Sequence, residues 1–231
     1  METRFMTSSD TTQIAYGNVQ DAVADRIREM ILVGRVQPGE WLRQDDLAKA
    51  LGVSTMPIRE ALRQLQAEGL VKFHPRRGAF VSELSVSHHQ EIYRIREELE
   101  VLACQWLAED FDRLDLARLK QFLDELEAAE KQTDVARRLE LVRAFFFTIF
   151  RASGKEHLLR ILSNVWDLSQ QYRRYFAGVP EISARRIIDY RRVYAACVAR
   201  DGQALVQSIR EIHTFGESKI IPLLQEIEQN T

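Results

Sequence analysis

The chain has 231 residues, 45% of them hydrophobic and 29% charged, with a formal net charge of −2 at neutral pH. That length suits one large domain or two small ones with a sizeable core, and the near balance of charge gives no sign of nucleic acid by itself. Ten glycines and five prolines argue against a turn-rich all-β protein, and no apolar run approaches the roughly 20 residues that span a bilayer.

Met1 to Gly17 is mixed and polar, without the basic-then-apolar order of an export signal, and reads as a flexible tail. Val19, Val23, Ile27 and Ile31 then recur at four-residue spacing, which predicts a helix over Val19 to Val33. Gly34, Pro38 and Gly39 break it. A second helix is expected over Gln44 to Leu51, closed by Gly52 in a left-handed cap. Ser54 is placed to cap a third helix, with Pro57 tolerated in its first turn. Ile58, Ala61, Leu62 and Leu65 form its buried stripe, while Arg59 and Arg63 share another face. Leu70 to His74 and Ala79 to Ser82 flank a Pro-Arg-Arg-Gly tip and read as a hairpin. Between Ser54 and Gly78 five basic residues (Arg59, Arg63, Lys72, Arg76, Arg77) face two acids (Glu60, Glu68), a local excess of three charges. Helix, helix, short turn, helix and hairpin is the winged helix-turn-helix plan, in which the third helix enters a DNA major groove. A small helical bundle with an incidental hairpin fits the same pattern.

From Ser85 onward strand signals vanish, and the boundary between a DNA-binding domain over residues 18–83 and a helical domain over 84–231 is drawn there. Long helices are expected over "HQEIYRIREELEVLACQWLAE", "DLARLKQFLDELEAAE", Asp134 to Ala152, Glu156 to Phe176, Ile182 to Arg200 and Gln203 to Gln225. Joined by short loops, they make an antiparallel bundle of six to seven helices, and such bundles bind ligands between facing helices. The fold class expected is therefore mainly α, with one small β-hairpin. Cys104 and Cys197 stand alone among apolar neighbours, as buried thiols of a reducing cytoplasm do. No nucleophile elbow, Gly-rich phosphate loop, HExxH or cavity-forming pair of carboxylates is visible, so no enzymatic activity is expected.

The pieces Pro38-Gly39, Leu47-Ala48, "GVS", "PIREAL", "EGLV" and "RRGAFV" resemble the DNA-binding domain of the GntR family in order and spacing. "IYRIREELEVLA", "FRASGK" and "VYAACVARDGQA" resemble the FadR subfamily, with its FCD type of ligand domain. The resemblance implies a cytoplasmic bacterial regulator, a homodimer on a palindromic operator in double-stranded DNA, whose bundle senses a small metabolite, often a carboxylic acid. It implies DNA contacts from Ser54, Thr55 and Arg59, with Arg63 on the same helix, and from Arg76, Arg77 and Gly78 at the hairpin. Two positions depart from the pattern: Thr55 stands where an arginine is common, and Asp45 where some members carry a DNA-contacting arginine.

Many members of the subfamily hold a divalent metal through an Asp and a His four residues apart, plus two further His. The corresponding positions here are Val142, Phe146, Tyr190 and Ile212, with His213 one place away, so no metal and no other cofactor is expected. His74, His88, His89 and His157 read as surface or capping residues. Two outcomes remain for the site: a pocket for a hydrophobic or aromatic acid whose carboxylate pairs with Arg96, or a cavity filled by side chains in a constitutive DNA-binding dimer.

Overall fold

The computed structural model describes residues 8–130 and 134–229, with side chains from residue 19 onward, in two compact units, Met1–Glu83 and Leu84–Thr231. Of the tail expected over Met1 to Gly17, the first seven residues lie outside the described ones. From Ser8 the chain is already helical: α1 runs Ser8–Leu32. Apolar spacing marks only the buried face of a helix, so polar turns ahead of Val19 left no periodic signal.

In the first unit α1 is followed by β1 (Trp41–Leu42), α2 (Gln44–Leu51), α3 (Thr55–Ala67), β2 (Val71–His74) and β3 (Gly78–Val81). Val23, Ala24, Ile27 and Ile31 of α1 are buried, as are Ile58, Ala61, Leu62 and Leu65 of α3, and the two helices pack together. Arg28 donates two hydrogen bonds to Glu68, at 2.9 and 2.7 Å, tying α1 to the end of α3. Gly52 ends α2 at φ 68, the left-handed cap its position predicts. Ser54 stands at the N-cap of α3, but its hydroxyl makes no capping bond. Pro57 at the third helical position removes one of the two N–H groups that a capping oxygen can take. The three strands form an antiparallel sheet in the order β1-β3-β2. β1 is the element that pattern reading omits: two residues after a Pro-Gly break carry no alternation.

The second unit contains α4 (Val86–Ala108), a 3₁₀ turn at Phe111–Arg113, α5 (Leu116–Ala129), α6 (Val135–Ala152), α7 (Glu156–Leu168), α8 (Gln170–Tyr175), α9 (Pro180–Ala199) and α10 (Gly202–Gln229). Ser85, Asp115 and Asp134 cap α4, α5 and α6 through their side chains. The expected single helix from Glu156 to Phe176 is two, interrupted at Ser169. There the buried Ser169 hydroxyl donates to the Trp166 carbonyl at 2.7 Å and accepts from Arg96 at 3.0 Å. A serine bonding its own backbone competes with the helical ladder, and a buried cation holds it in place.

α4 packs against α6, α7 and α10, and α9 against α5 and α10. The three phenylalanines of α6 are interior: Phe145 is fully buried, and Phe146 and Phe147 are nearly so. Trp166 of α7 meets Phe146 and Phe147 with ring centroids 5.8 and 5.4 Å apart. A close helix approach falls at Gly202, where an added Cβ would lie 2.5 Å from the Ala108 Cβ. Gly202→Ala is expected to force α4 and α10 apart and cost about 1–3 kcal/mol, the usual penalty for overpacking, read as a lower midpoint in urea unfolding.

Candidate nucleic-acid interface and bundle cavity

α3 divides its side chains by helical period. Pro57, Ile58, Ala61, Leu62 and Leu65 are buried, and Thr55, Met56, Arg59 and Arg63 are exposed. Arg59 and Arg63 both approach Glu60, at 3.4 and 3.3 Å, in solvent-exposed pairs that hold little energy and exchange readily for another anion. Ser54, just ahead of α3, is exposed with its hydroxyl uncommitted to the helix.

The hairpin tip of the same unit carries Arg76, Arg77 and Gly78, all exposed. The Arg77 amide donates to the His74 carbonyl at 3.2 Å, closing a turn with Pro75 and Arg76 at its centre. Arg76 sits at φ 65 and Gly78 at φ 99. A positive φ in the third position of a turn normally selects glycine or asparagine, so an arginine there is held against its own preference. Trp41, Arg43, Gln44 and Asp45 line one groove with Arg77 and Gly78. Asp45, the departure noted in the sequence, thus stands in a groove that also holds Arg43 and Arg77. The side chains expected to meet DNA therefore all lie on exposed parts of one folded unit.

In the second unit the helices enclose a cavity of about 120 Å³. Arg96, Val142, Phe146, Tyr190, Ile212 and His213 all line it. Sequence reasoning missed the polar residues beside them: Tyr93, Glu100, Arg138, Arg173, Arg186 and Asp189 also line it. One signal was available, because Arg96 and Glu100 are four residues apart on α4 and share a face. Arg173 gave none, lying in a polar stretch that resembles any solvated helix.

Arg96 is 5% exposed, with its guanidinium 4.6 Å from the Tyr93 ring centroid and 4.8 Å from that of Trp166. Its Nε lies 2.8 Å from Glu100 Oε1, an ion pair out of hydrogen-bond alignment. Glu100 Oε2 is 2.8 Å from His213 Nε2. Burial alone would push the Glu100 carboxyl up, but the charges of Arg96 and His213 outweigh it and hold it below its ordinary range. An ionised Glu100 only accepts, so the proton in that bond belongs to His213 Nε2.

Of the four arginines lining the cavity, Arg173 alone forms no ion pair among the described residues. Its guanidinium lies 4.1 Å from the Trp166 ring centroid and donates to the Trp166 carbonyl at 3.0 Å and Gln170 Oε1 at 2.8 Å. No carboxylate pairs with it, and its Nε, shielded from solvent, has no partner among the described residues. Burial, followed by the charge of Arg96, pushes its pKa down to about 9, which leaves it cationic at neutral pH. Tyr93 Oη, Trp166 Nε1 and His213 Nδ1 likewise lack partners among the described residues. Across the lining Arg138 and Arg186 share one acid, Glu130, at 4.0 and 3.1 Å.

At the positions where the family resemblance implies a metal, the donor set consists of a valine, two other apolar side chains and one phenol. His213 has its Nε2 committed to Glu100. Among the described residues no cluster of three or more His, Cys, Asp or Glu could hold a metal ion. These residues do not fit a divalent cation. His89, expected as a surface or capping residue, is instead fully buried, stacked on Tyr93 at 4.0 Å and edge-on to Tyr172 at 5.0 Å. His88 approaches the Tyr172 hydroxyl at 3.1 Å. Cys104 and Cys197 are free, buried thiols, as expected, and burial raises the pKa of both. Among the described residues no helix is long and apolar enough to cross a membrane.

A helix-turn-helix unit with a wing and a local basic excess between Ser54 and Gly78, joined in sequence to a helical unit with its own cavity, defines the class: a DNA-binding transcription regulator with a separate helical domain. The chain belongs to the gntR family of bacterial regulatory proteins, whose model matches residues 19–81, with an FCD domain over residues 91–214. It is 31% identical to the HTH-type transcriptional regulator YdhC of Bacillus subtilis, covering 89% of this chain and 92% of that one. It is 27% identical to the HTH-type transcriptional repressor GlaR of Escherichia coli, over 87% and 93% of the two chains. The solved structure of E. coli McbR/YncC superposes with a TM-score of 0.77 at 25% identity, over 89% of this chain and 98% of that one.

His89 makes a pH prediction. Burial, then the charge of Arg96, lowers its pKa from 6.5 to about 4. A histidine held neutral in the fold takes up a proton in the unfolded chain first, so stability falls as pH drops from 6.5 toward 4. The loss expected is about 3 kcal/mol by 1.36 kcal/mol per unit. His89→Phe, which keeps the stack on Tyr93, should flatten that part of a urea-unfolding pH profile.

Proposed function

We propose that the chain is a cytoplasmic repressor that binds a palindromic operator as a homodimer, its occupancy set by a small hydrophobic or aromatic carboxylate in the bundle cavity. The observation that supports the effector reading is Arg173: a cation with no carboxylate in ion-pair contact among the described residues, in a cavity lining that has four guanidiniums against two carboxylates. An entering carboxylate would complete that charge, while Val142, Phe146, Leu139 and Ile182 take its apolar body. Arg96, already paired with Glu100, would orient Tyr93 and Trp166 and assist as a second cation. The cavity's size favours a short-chain or single-ring acid over a coenzyme A thioester. No metal takes part in this reading, because the side chains at the metal positions of relatives are poor ligands. The repressor assignment is supported by the printed name of GlaR.

On the DNA side, Arg59 and Arg63 are assigned to base edges or phosphates, Ser54 and Thr55 to the same strand region, and Arg76, Arg77 and Gly78 to the groove beside it. The two-copy arrangement follows from the symmetry of a palindrome.

A thermal-shift screen of aliphatic and aromatic acids tests the effector reading. A saturating acid at a hundredfold excess over Kd should stabilise the fold by about 2.7 kcal/mol, and Arg173→Met should weaken its binding about 10–100-fold, the worth of a charged hydrogen bond. If no acid moves the melting temperature, the bundle serves only to dimerise. Arg76→Gly relieves a left-handed arginine and is expected to leave the fold at least as stable. It should reduce the slope of log affinity against log salt by about 0.9 per half-site, measured by anisotropy on DNA flanking the chain's own gene. Failure of the folded dimer to retard any palindromic duplex at low salt would overturn the DNA reading.

A further inference from the structure

One side chain on the reading face of α3 is neither charged nor polar. Met56 occupies the first turn, and its side chain is 55% exposed. Counting along α3, Met56, Arg59, Glu60 and Arg63 are separated by three, four and seven residues, which places them on one stripe. The opposite stripe is the one buried against α1. Met56 is therefore not a core residue that strayed to the surface, since the helix directs it away from the core by a large rotation. Trp41, an exposed large apolar side chain of the sheet, has Phe80 against its ring at 5.2 Å. Met56 is the one large apolar side chain exposed on α3 among the described residues.

The chemistry of this position is narrow. A thioether donates no hydrogen bond and is a weak acceptor, so it gains little from phosphate oxygens or from the polar edges of guanine, adenine or cytosine. The major groove offers one apolar group, the C5-methyl of thymine. The first turn of a recognition helix is the part that reaches base edges. Methionine's unbranched, polarizable side chain can shape itself to such a contact. Resting on the assignment of α3 to the major groove, we propose that Met56 reads the methyl group of one thymine in each half-site. The arginines on the same stripe supply attraction to the duplex, and Met56 supplies discrimination of thymine from cytosine.

The test is a cycle between one protein side chain and one DNA methyl group. The full-length protein first selects duplexes from a random pool. Each thymine of the best duplex is then replaced singly by deoxyuridine, which removes the methyl and keeps the pairing. Affinity is measured by fluorescence anisotropy at one fixed salt concentration. For the native protein, one thymine per half-site should show a loss of about fourfold, the equivalent of roughly 0.8 kcal/mol for a buried methyl-sized group. Met56→Ala should bind the thymine and deoxyuridine duplexes equally. Met56→Leu, still apolar, should keep a preference for thymine, and Arg59→Ala should weaken binding without erasing it. Circular dichroism confirms that each variant is folded. If no thymine responds, or if Met56→Ala shows the same fourfold loss, the proposal is overturned while groove binding stands. If the folded protein retains no duplex from the pool at low salt, the assignment of α3 to DNA fails first, and the proposal with it.

Discussion

The helical unit is organised around one buried guanidinium. Arg96 lies between the rings of Tyr93 and Trp166, pairs with Glu100 and donates to Ser169. Through Glu100 it reaches His213 on α10, and through Ser169 it fixes the break between α7 and α8. Removing a charge from water costs several kcal/mol unless its partners are well placed, so helices that supply those partners have little freedom in register. The cavity is the space left where these polar contacts meet the aromatic side of α6. Its walls are consequently of two kinds, one built from phenylalanine and branched aliphatics, the other from arginine, carboxylate and imidazole.

The DNA-binding unit separates its tasks more simply. α3 uses one face to complete a small apolar core with α1 and leaves the other to solvent, so substitutions on the exposed stripe can alter recognition with little effect on folding. Pro57 contributes to this separation in an indirect way. It removes one of the N–H groups a capping oxygen could take, and the Ser54 hydroxyl makes no capping bond to the helix. The wing reverses the logic at Arg76, where local backbone preference yields to the position of a charge.

What the sequence disclosed follows from which forces are periodic. The buried stripes of α1 and α3, the glycine cap of α2 and the boundaries of α5 and α6 were legible because apolar spacing and capping residues are local signals. The helix break at Ser169 was not, since it depends on an arginine more than seventy residues earlier in the chain. β1 escaped because pairing with β3, and not its own composition, makes those two residues a strand. At the cavity, motif comparison located Val142, Phe146 and Tyr190 by their positions in the pattern. It could not locate Arg173 or the burial of His89, because charge and imidazole carry no periodic mark of being inside. Arg96 was foreseen as a cation but not as one already paired.

The α4–α10 pair behaves mechanically as a beam fixed at several points. At one end Gly202 leaves room for no more than a hydrogen against Ala108. Near the middle Glu100 holds His213, and toward the other end the Val86 amide donates to Glu228 at 2.9 Å. Bending either helix alone would break contacts at three stations along its length. A guest larger than the cavity therefore meets unequal compliance: the α4–α10 side resists, and displacement is directed toward the segments around the Ser169 break, where the helical ladder is already interrupted.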